Sequence, residues 1–247
     1  MNSLDGVTVI VTGAARGIGR SIALAAGNAG AKVGLVDQLD SEDVCRQLSE
    51  AGAHACSYQA DISKSAEVAD AFAKIVEELG EVNALVNNAG IQLEKPLLDT
   101  TTSDFDAVMD SNVRGMVLMS QQVLRAMTDS AIHGRVINIA SDLAYHGREN
   151  FSVYCASKAA VLALTKSWAR EFAPDILINS ICPGPVDTAM LSRDQMSAEW
   201  IAKESEIPLE RIGQPGEIAA IAVFLLGSGA TFITGQGFGV NGGSVMP

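Results

Sequence analysis

A chain of 247 residues with 48% hydrophobic side chains can bury one large α/β core or two small ones, and no repeat period or Pro/Ser-rich linker divides it, so one domain spanning 1–247 is expected. The formal net charge of −12 argues against nucleic acid or an anionic membrane surface as partner, and the longest obvious apolar run, Ile218 to Leu226, falls short of the ~18 residues a membrane span needs. The amino terminus leads almost directly into a strand, with no room for a signal peptide, and the four cysteines (Cys45, Cys56, Cys155, Cys182) and three histidines (His54, His133, His146) lack metal or disulfide-framework spacing, so free thiols in a cytoplasmic protein are expected.

Val7-Thr8-Val9-Ile10-Val11 is a β-branched apolar run that suits a strand buried on both faces. It leads into Thr12-Gly13-Ala14-Ala15-Arg16-Gly17-Ile18-Gly19 and then a helix from about Arg20 to Ala29. A glycine-rich turn between strand and helix is where a dinucleotide sets its pyrophosphate, over the exposed amides of the helix start. The spacing is G-x-x-x-G-x-G, not the commoner G-x-G-x-x-G, and by itself it is weak evidence. The next strand, Lys32 to Val36, ends at Asp37, 18 residues past Gly19, where a carboxylate accepts hydrogen bonds from the adenosine ribose hydroxyls and repels a 2′-phosphate. Gln38 adds no charge. Arg16 pulls the other way, since a guanidinium in the glycine loop can meet that phosphate, but a solvated loop arginine is the plainer reading and NAD is the expected cofactor.

A helix from Ser41, a strand over His54–Tyr58, a helix over Lys64–Leu79 and a strand over Asn83–Val86 continue a strict alternation, which implies an α/β fold with a doubly wound parallel sheet. Asp61, after the third strand, can cap a helix or touch adenine. Asn87-Asn88-Ala89-Gly90 ends the fourth strand, where such sheets bind ligands and where polar side chains also simply form turns. From Ser103 to about Met127 the pattern predicts one long helix with Phe105, Val108, Met109, Val113, Met116, Val117 and Leu124 giving more apolar coverage than one sheet needs, a sign of contact with another subunit. Asn112 lies inside it, where asparagine is mildly unfavourable, so it either faces solvent or is used.

The stretch His133 to Lys158 carries the chemistry. Val136 to Ala140 reads as a buried strand that delivers Ser141 at its carboxyl end, and after a polar loop a helix carries Tyr154 and Lys158 one turn apart on one face. A phenol holds its proton to a pKa of about 10. An ammonium one turn away favours the phenolate, so this tyrosine is expected to trade a proton nearer neutral pH, with Ser141 holding the substrate oxygen beside it. Tyr-x-x-x-Lys alone is usually a surface pair, but Tyr58 and Tyr145 have Ile62 and Glu149 four residues on, and Tyr154 lies 13 residues after a strand-end serine. Cys155 points elsewhere on the helix and is assigned no chemistry.

That helix runs to about Phe172, and a sixth strand, Asp175 to Ile181, enters the abrupt turn Cys182-Pro183-Gly184-Pro185-Val186-Asp187-Thr188. The mixed segment 189–213 suits a lid over a pocket, or else a pair of surface helices. A helix from about Pro215 to Leu226 and a strand over Gln236–Val240 complete about seven strands.

Taken together, these residues resemble the short-chain dehydrogenase/reductase family over nearly the whole chain: T-G-x-x-x-G-x-G at Thr12 to Gly19, Asp37, Asp61, N-N-A-G at Asn87 to Gly90, Asn112, Ser141, Tyr154, Lys158 and P-G at Pro183-Gly184. The resemblance implies a single Rossmann-type domain in which Tyr154 is the general acid/base, Lys158 binds the nicotinamide ribose and lowers the Tyr154 pKa, Ser141 orients the substrate oxygen and Asn112 holds a water of the proton relay. It implies a cofactor site formed by Gly13, Arg16, Gly17, Ile18 and Gly19, by Asp37, Asp61 and Ile62, by Asn88, Ala89 and Gly90, and by Pro183, Gly184, Val186 and Thr188, together with Tyr154 and Lys158. It also implies a homotetramer built on the helices Ser103–Met127 and Ser152–Phe172 and on the last helix and strand.

Near this site stand Gln92, Asp142, His146, Arg148 and Arg193. Hydrogen-bonding groups around a pocket favour a polyol, sugar or hydroxy acid over a bare hydrocarbon, unless these side chains face solvent. An alternative is a 3-oxoacyl-acyl-carrier-protein reductase using NADPH, suggested by the likeness of Ile233-Thr234-Gly235 and Asn241-Gly242-Gly243 to those enzymes and opposed by Asp37 and the acidic charge, since they dock an acidic carrier. A catalytically silent NAD-sensing protein would need no Ser–Tyr–Lys–Asn set.

Overall fold

The computed structural model describes residues 3–191 and 197–247. The chain alternates strands and helices: β1 (Thr8–Thr12), α1 (Gly17–Asn28), β2 (Lys32–Asp37), α2 (Glu42–Glu50), β3 (Ala55–Gln59), α3 (Ser65–Leu79), β4 (Ala84–Asn87), α4 (Thr102–Met109) and α5 (Gly115–Asp129). The second half supplies β5 (Gly134–Ile139), the single turn α6 (Leu143–His146), α7 (Ser152–Phe172), β6 (Ile176–Pro183), α8 (Ala198–Glu204), α9 (Pro215–Leu226) and β7 (Gly237–Val240). The strands form one seven-stranded sheet in the order β3-β2-β1-β4-β5-β6-β7, parallel throughout. The order in which strands are added reverses between β1 and β4, which opens a crevice beyond the carboxyl ends of these parallel strands, where such sheets take their ligands.

β1 shows why the β-branched runs become strands. Every residue from Thr8 to Thr12 is buried; Val9 and Val11 point into the cluster formed with α1 and α9, while Ile10 points into the opposite cluster with α3 and α5. A strand covered on both faces is apolar at consecutive positions rather than at alternate ones. Among the described residues no helix is long and apolar enough to cross a membrane.

The predicted helix over Ser103–Met127 is divided. A π-helical turn over Asp110–Arg114 separates α4 from α5, and Asn112 lies in it. Much of the apolar coverage assigned to a partner is used within the chain: Val108, Met116 and Leu124 are buried, while Phe105 stays exposed and Met109, Val113 and Val117 are half-buried. The first helix starts at Gly17 rather than Arg20, so Gly17 and Gly19 form its first turn. The loop before α7 contains α6, capped by the Asp142 side chain accepting from the Leu143 amide.

Candidate active site

The glycine loop is shaped by close approach as much as by backbone freedom. Gly13 and Gly17 have φ of +66° and +59°, where a side chain is strained. Gly19 has no such φ, yet a Cβ there would overlap the Gly13 carbonyl oxygen and the Asn88 amide nitrogen. That space lets Asn88 Nδ2 donate to the carbonyls of Thr12 and Gly13, both at 3.0 Å. Thr12 Oγ1 in turn accepts from the Asn88 and Ala89 amides at 3.0 and 3.1 Å, so the ends of β1 and β4 are locked together.

Asp37 closes the other side. Its carboxylate accepts from the Ala15 amide at 2.9 Å and the Leu39 amide at 2.9 Å, which holds it against the glycine loop with its face to the crevice. A cavity of about 850 Å³ extends from Asp37 to Ser141 and Tyr154. Gly13, Arg16, Gly17 and Ile18 line it, as do Ile62, Asn88, Ala89, Gly90, Pro183, Gly184, Val186 and Thr188. Gly19 lies behind the wall, and Asp61 turns to the Ser63 amide at 2.9 Å and to Gln38, outside the lining. Gln38, weighed in the sequence only for its lack of charge, lines the cavity, as does Leu39, which the sequence did not single out.

Ser141, Tyr154 and Lys158 meet at the inner end, all three buried. Ser141 hydrogen-bonds to Tyr154 and touches Asp142 Oδ1 at 3.1 Å. Lys158 Nζ donates to the Ile139 carbonyl at 2.9 Å and stands 5.8 Å from the centre of the Tyr154 ring. Gly90 makes room for this: a Cβ there would come within 2.9 Å of Asn112 Oδ1 and 3.5 Å of Lys158 Nζ. Asn112 is buried and used. Its Oδ1 accepts from the Ile91 amide at 2.7 Å, and its Nδ2 donates to the Ile91 carbonyl at 2.9 Å and to Ser157 Oγ at 3.0 Å. It thereby clamps the exit of β4 to α7, and it does not reach the cavity wall.

The expected lowering of the Tyr154 pKa is not found. Burial pushes the phenol up to about 12, with the Ser141 hydrogen bond pulling the other way, and burial pushes Lys158 down to about 8. Both charged forms lose hydration here, and that loss is the largest cause of each shift. Tyr154 is therefore a protonated acid at neutral pH.

In the outer half, Gln92, Asp142, His146 and Arg148 all line the cavity, but they are not equally free. Arg148 donates to Glu204 of α8 at 2.6 Å and stacks between Phe151 and Trp200, its guanidinium 5.1 and 5.6 Å from their ring centres. The pair is 25% and 10% exposed, so Arg148 fastens α8 over the cavity rather than offering its charge to a ligand. Asp142 is bonded to Ser244 from the chain's end. Arg193 lies outside the described residues. The sequence reading missed Phe151, Trp200, Lys203, Glu204 and Ser244 of this wall. Trp200, one of two tryptophans and placed in an otherwise polar stretch, was a usable signal; Ser244 had none. Among the described residues no group of side chains suits a metal ion, and all four cysteines are free.

Residues 13–244 match the sequence family described as enoyl-(acyl carrier protein) reductase. The chain is 33% identical over 256 residues to the sorbitol dehydrogenase of Cereibacter sphaeroides, a match covering 98% of this chain and 99% of that one. The solved structure of 3-ketoacyl-(acyl-carrier-protein) reductase from Brucella melitensis complexed with NADH is similar at a TM-score of 0.91 and 32% identity, covering 99% of this chain and 100% of the other. A structure from Agrobacterium tumefaciens with bound NADP, assigned as a 2-deoxy-d-gluconate 3-dehydrogenase, is similar at a TM-score of 0.91 and 30% identity, covering 97% of this chain and 96% of the other.

Proposed function

We propose, because the chain belongs to the short-chain dehydrogenase/reductase family and so is an oxidoreductase acting on CH–OH groups, that it works with NAD(H) on a secondary alcohol or ketone of a polar small molecule, such as a polyol, sugar or hydroxy acid. The observation that carries this reading is one cavity with the Asp37 carboxylate at one end and Ser141, Tyr154 and Lys158 at the other. The cradle fits a dinucleotide: the positive-φ glycines and the first turn of α1 offer amides to a pyrophosphate, and Asp37 offers acceptors to ribose hydroxyls. When bound, a nicotinamide dinucleotide supplies the hydride exchanged with the substrate carbon.

The chain's own residues handle the proton. Tyr154 gives its phenolic proton to a carbonyl oxygen in reduction and takes one back in oxidation, while the Ser141 hydroxyl orients that oxygen. Lys158, anchored on Ile139, places an ammonium beside the phenol and the nicotinamide ribose site. Asn112 acts on the proton relay from behind the cavity wall, by fixing the geometry of β4 and α7. Of the segment 189–213 taken as a lid, residues 197–213 are fastened over the cavity through Arg148 and Glu204, and 192–196 lie outside the described residues.

Steady-state rates decide both the coenzyme and the substrate. NAD should be preferred over NADP by at least about tenfold in kcat/KM, a difference of roughly 1.4 kcal/mol, and Asp37→Ala should narrow that preference. A panel read by NADH absorbance should show faster oxidation of polyols, sugars or hydroxy acids than of cyclohexanol. The second reading, a 3-oxoacyl-acyl-carrier-protein reductase using NADPH, is favoured in its substrate by the likeness to the Brucella enzyme, itself solved with NADH, and in its coenzyme by Arg16 on the cavity wall. It prevails if NADPH with a 3-oxoacyl thioester outperforms every polar alcohol.

A homotetrameric, cytoplasmic enzyme goes with this reading. Phe105, Phe232 and Leu98 are exposed beyond what a lone subunit needs, and free thiols suit a reducing compartment. Light scattering should give a particle near four times 25.8 kDa, and a stable monomer at micromolar concentration would refute the assembly.

A further inference from the structure

We infer that Asp142 sets the charge of substrate this site accepts, admitting neutral hydroxylated molecules and rejecting those with a carboxylate or phosphate beside the reacting carbon; this rests on the polar-substrate reading and narrows it. Asp142 directly follows Ser141 and lines the cavity, although it is only 6% exposed. Both carboxylate oxygens are fixed. Oδ1 accepts from the Leu143 amide at 2.8 Å and the Ser141 hydroxyl at 3.1 Å, and Oδ2 accepts from the Ser244 hydroxyl at 2.6 Å. These three donors are neutral, so they hold the negative charge in place without cancelling it.

The permanent cations lining the cavity near Asp142 are placed elsewhere. Arg148 is committed to Glu204, Lys203 lies 4.8 Å from the centre of the Trp200 ring, and Lys158 is bonded to the Ile139 carbonyl. His146 Nε2 comes within 3.9 Å of Asp142 Oδ2, beyond hydrogen-bond distance, on a side chain 43% exposed. Glu94 adds a further carboxylate to the cavity lining. An anionic substrate would therefore bring its charge next to a fixed, poorly hydrated carboxylate. A neutral one gains instead: a carboxylate offers about four lone-pair sites, and when the Ser141 hydroxyl turns its proton from Asp142 to the reacting oxygen only the Leu143 amide and the Ser244 hydroxyl remain on it, leaving room to accept a second substrate hydroxyl. The class so selected is the neutral vicinal diol and its α-hydroxyketone.

Lactamide and lactate are secondary alcohols of matched shape that differ in charge, and each can be titrated as a competitive inhibitor of whichever alcohol the enzyme oxidises fastest. The wild-type inhibition constant for lactate should exceed that for lactamide by about tenfold or more, and Asp142→Asn, which keeps the shape and an acceptor for the Leu143 amide, should bring the two close to equality. Equal or tighter binding of lactate to wild type, an unchanged ratio in Asp142→Asn, or no inhibition by either compound at molar concentration would overturn the inference. If the variant does not fold, as judged by NADH fluorescence, the wild-type ratio decides alone. Should cyclohexanol prove the best substrate, the polar-substrate reading fails while the lactamide-to-lactate ratio still reports on Asp142.

Discussion

Replacing Tyr154 by Phe is expected to lower kcat by on the order of a thousandfold or more while leaving NADH binding nearly unchanged. The substitution removes the hydroxyl that meets Ser141 and keeps the ring, whose edge packs on Phe151 with centroids 6.4 Å apart. A pH profile sharpens the test. With the phenol pushed up to about 12 and Lys158 pushed down to about 8 by burial, ketone reduction needs both groups protonated, a state that predominates below pH 8 and is nearly complete a unit lower. Reductive kcat/KM should be level near neutrality and fall as the pH rises through about 8. Oxidation needs Tyr154 ionised and Lys158 protonated. That population grows tenfold per pH unit below pH 8 and levels off above it, because each further ionisation of the phenol is matched by a lost ammonium. Both limbs should vanish in Tyr154→Phe. Retention of more than about a tenth of the turnover would remove Tyr154 from the chemistry.

Gly19→Ala is expected to destabilise the protein and to abolish NADH binding, even though alanine is the better helix former by about 1 kcal/mol. Gly19 is in the first turn of α1 with an ordinary helical φ, so the cost is steric. The added methyl would enter the Gly13 carbonyl oxygen and displace Asn88 Nδ2 from two carbonyls. Overpacking costs roughly 1–3 kcal/mol and two lost hydrogen bonds about 1 kcal/mol each, which together exceed the gain in propensity. The loop must move, and the amides that face the pyrophosphate move with it. Gly80→Ala is the control: φ there is +85° and a Cβ would meet nothing within 4 Å, so backbone strain of roughly 1–3 kcal/mol should lower the melting temperature without touching the cofactor. Fluorescence titration and thermal unfolding compare the two, and wild-type NADH affinity in Gly19→Ala would overturn the argument.

The parts of this protein legible in its sequence are those that depend on near neighbours. Val9, Ile10 and Val11 announce a strand because consecutive β-branched side chains fit a sheet covered on both faces, and the structure buries them in opposite clusters. Tyr154 and Lys158 share a helical face by spacing alone, and Asp37 reaches the glycine loop because β1 and β2 are adjacent and parallel. What the tertiary structure decided involves groups far apart in the chain or surrounded by atoms no motif names. The π-helical turn at Asn112 exists where the side chain grips Ile91, 21 residues away, and Ser157, 45 away. Arg148 is drawn to Glu204 across 56 residues and Asp142 to Ser244 across 102, so a loop read as free polar groups becomes a fastening and a fixed charge. The direction of the Tyr154 shift was hidden for the same reason. Proximity of an ammonium is written in the spacing, but hydration lost on burial depends on the packing of the whole site, and at Tyr154 that loss prevails.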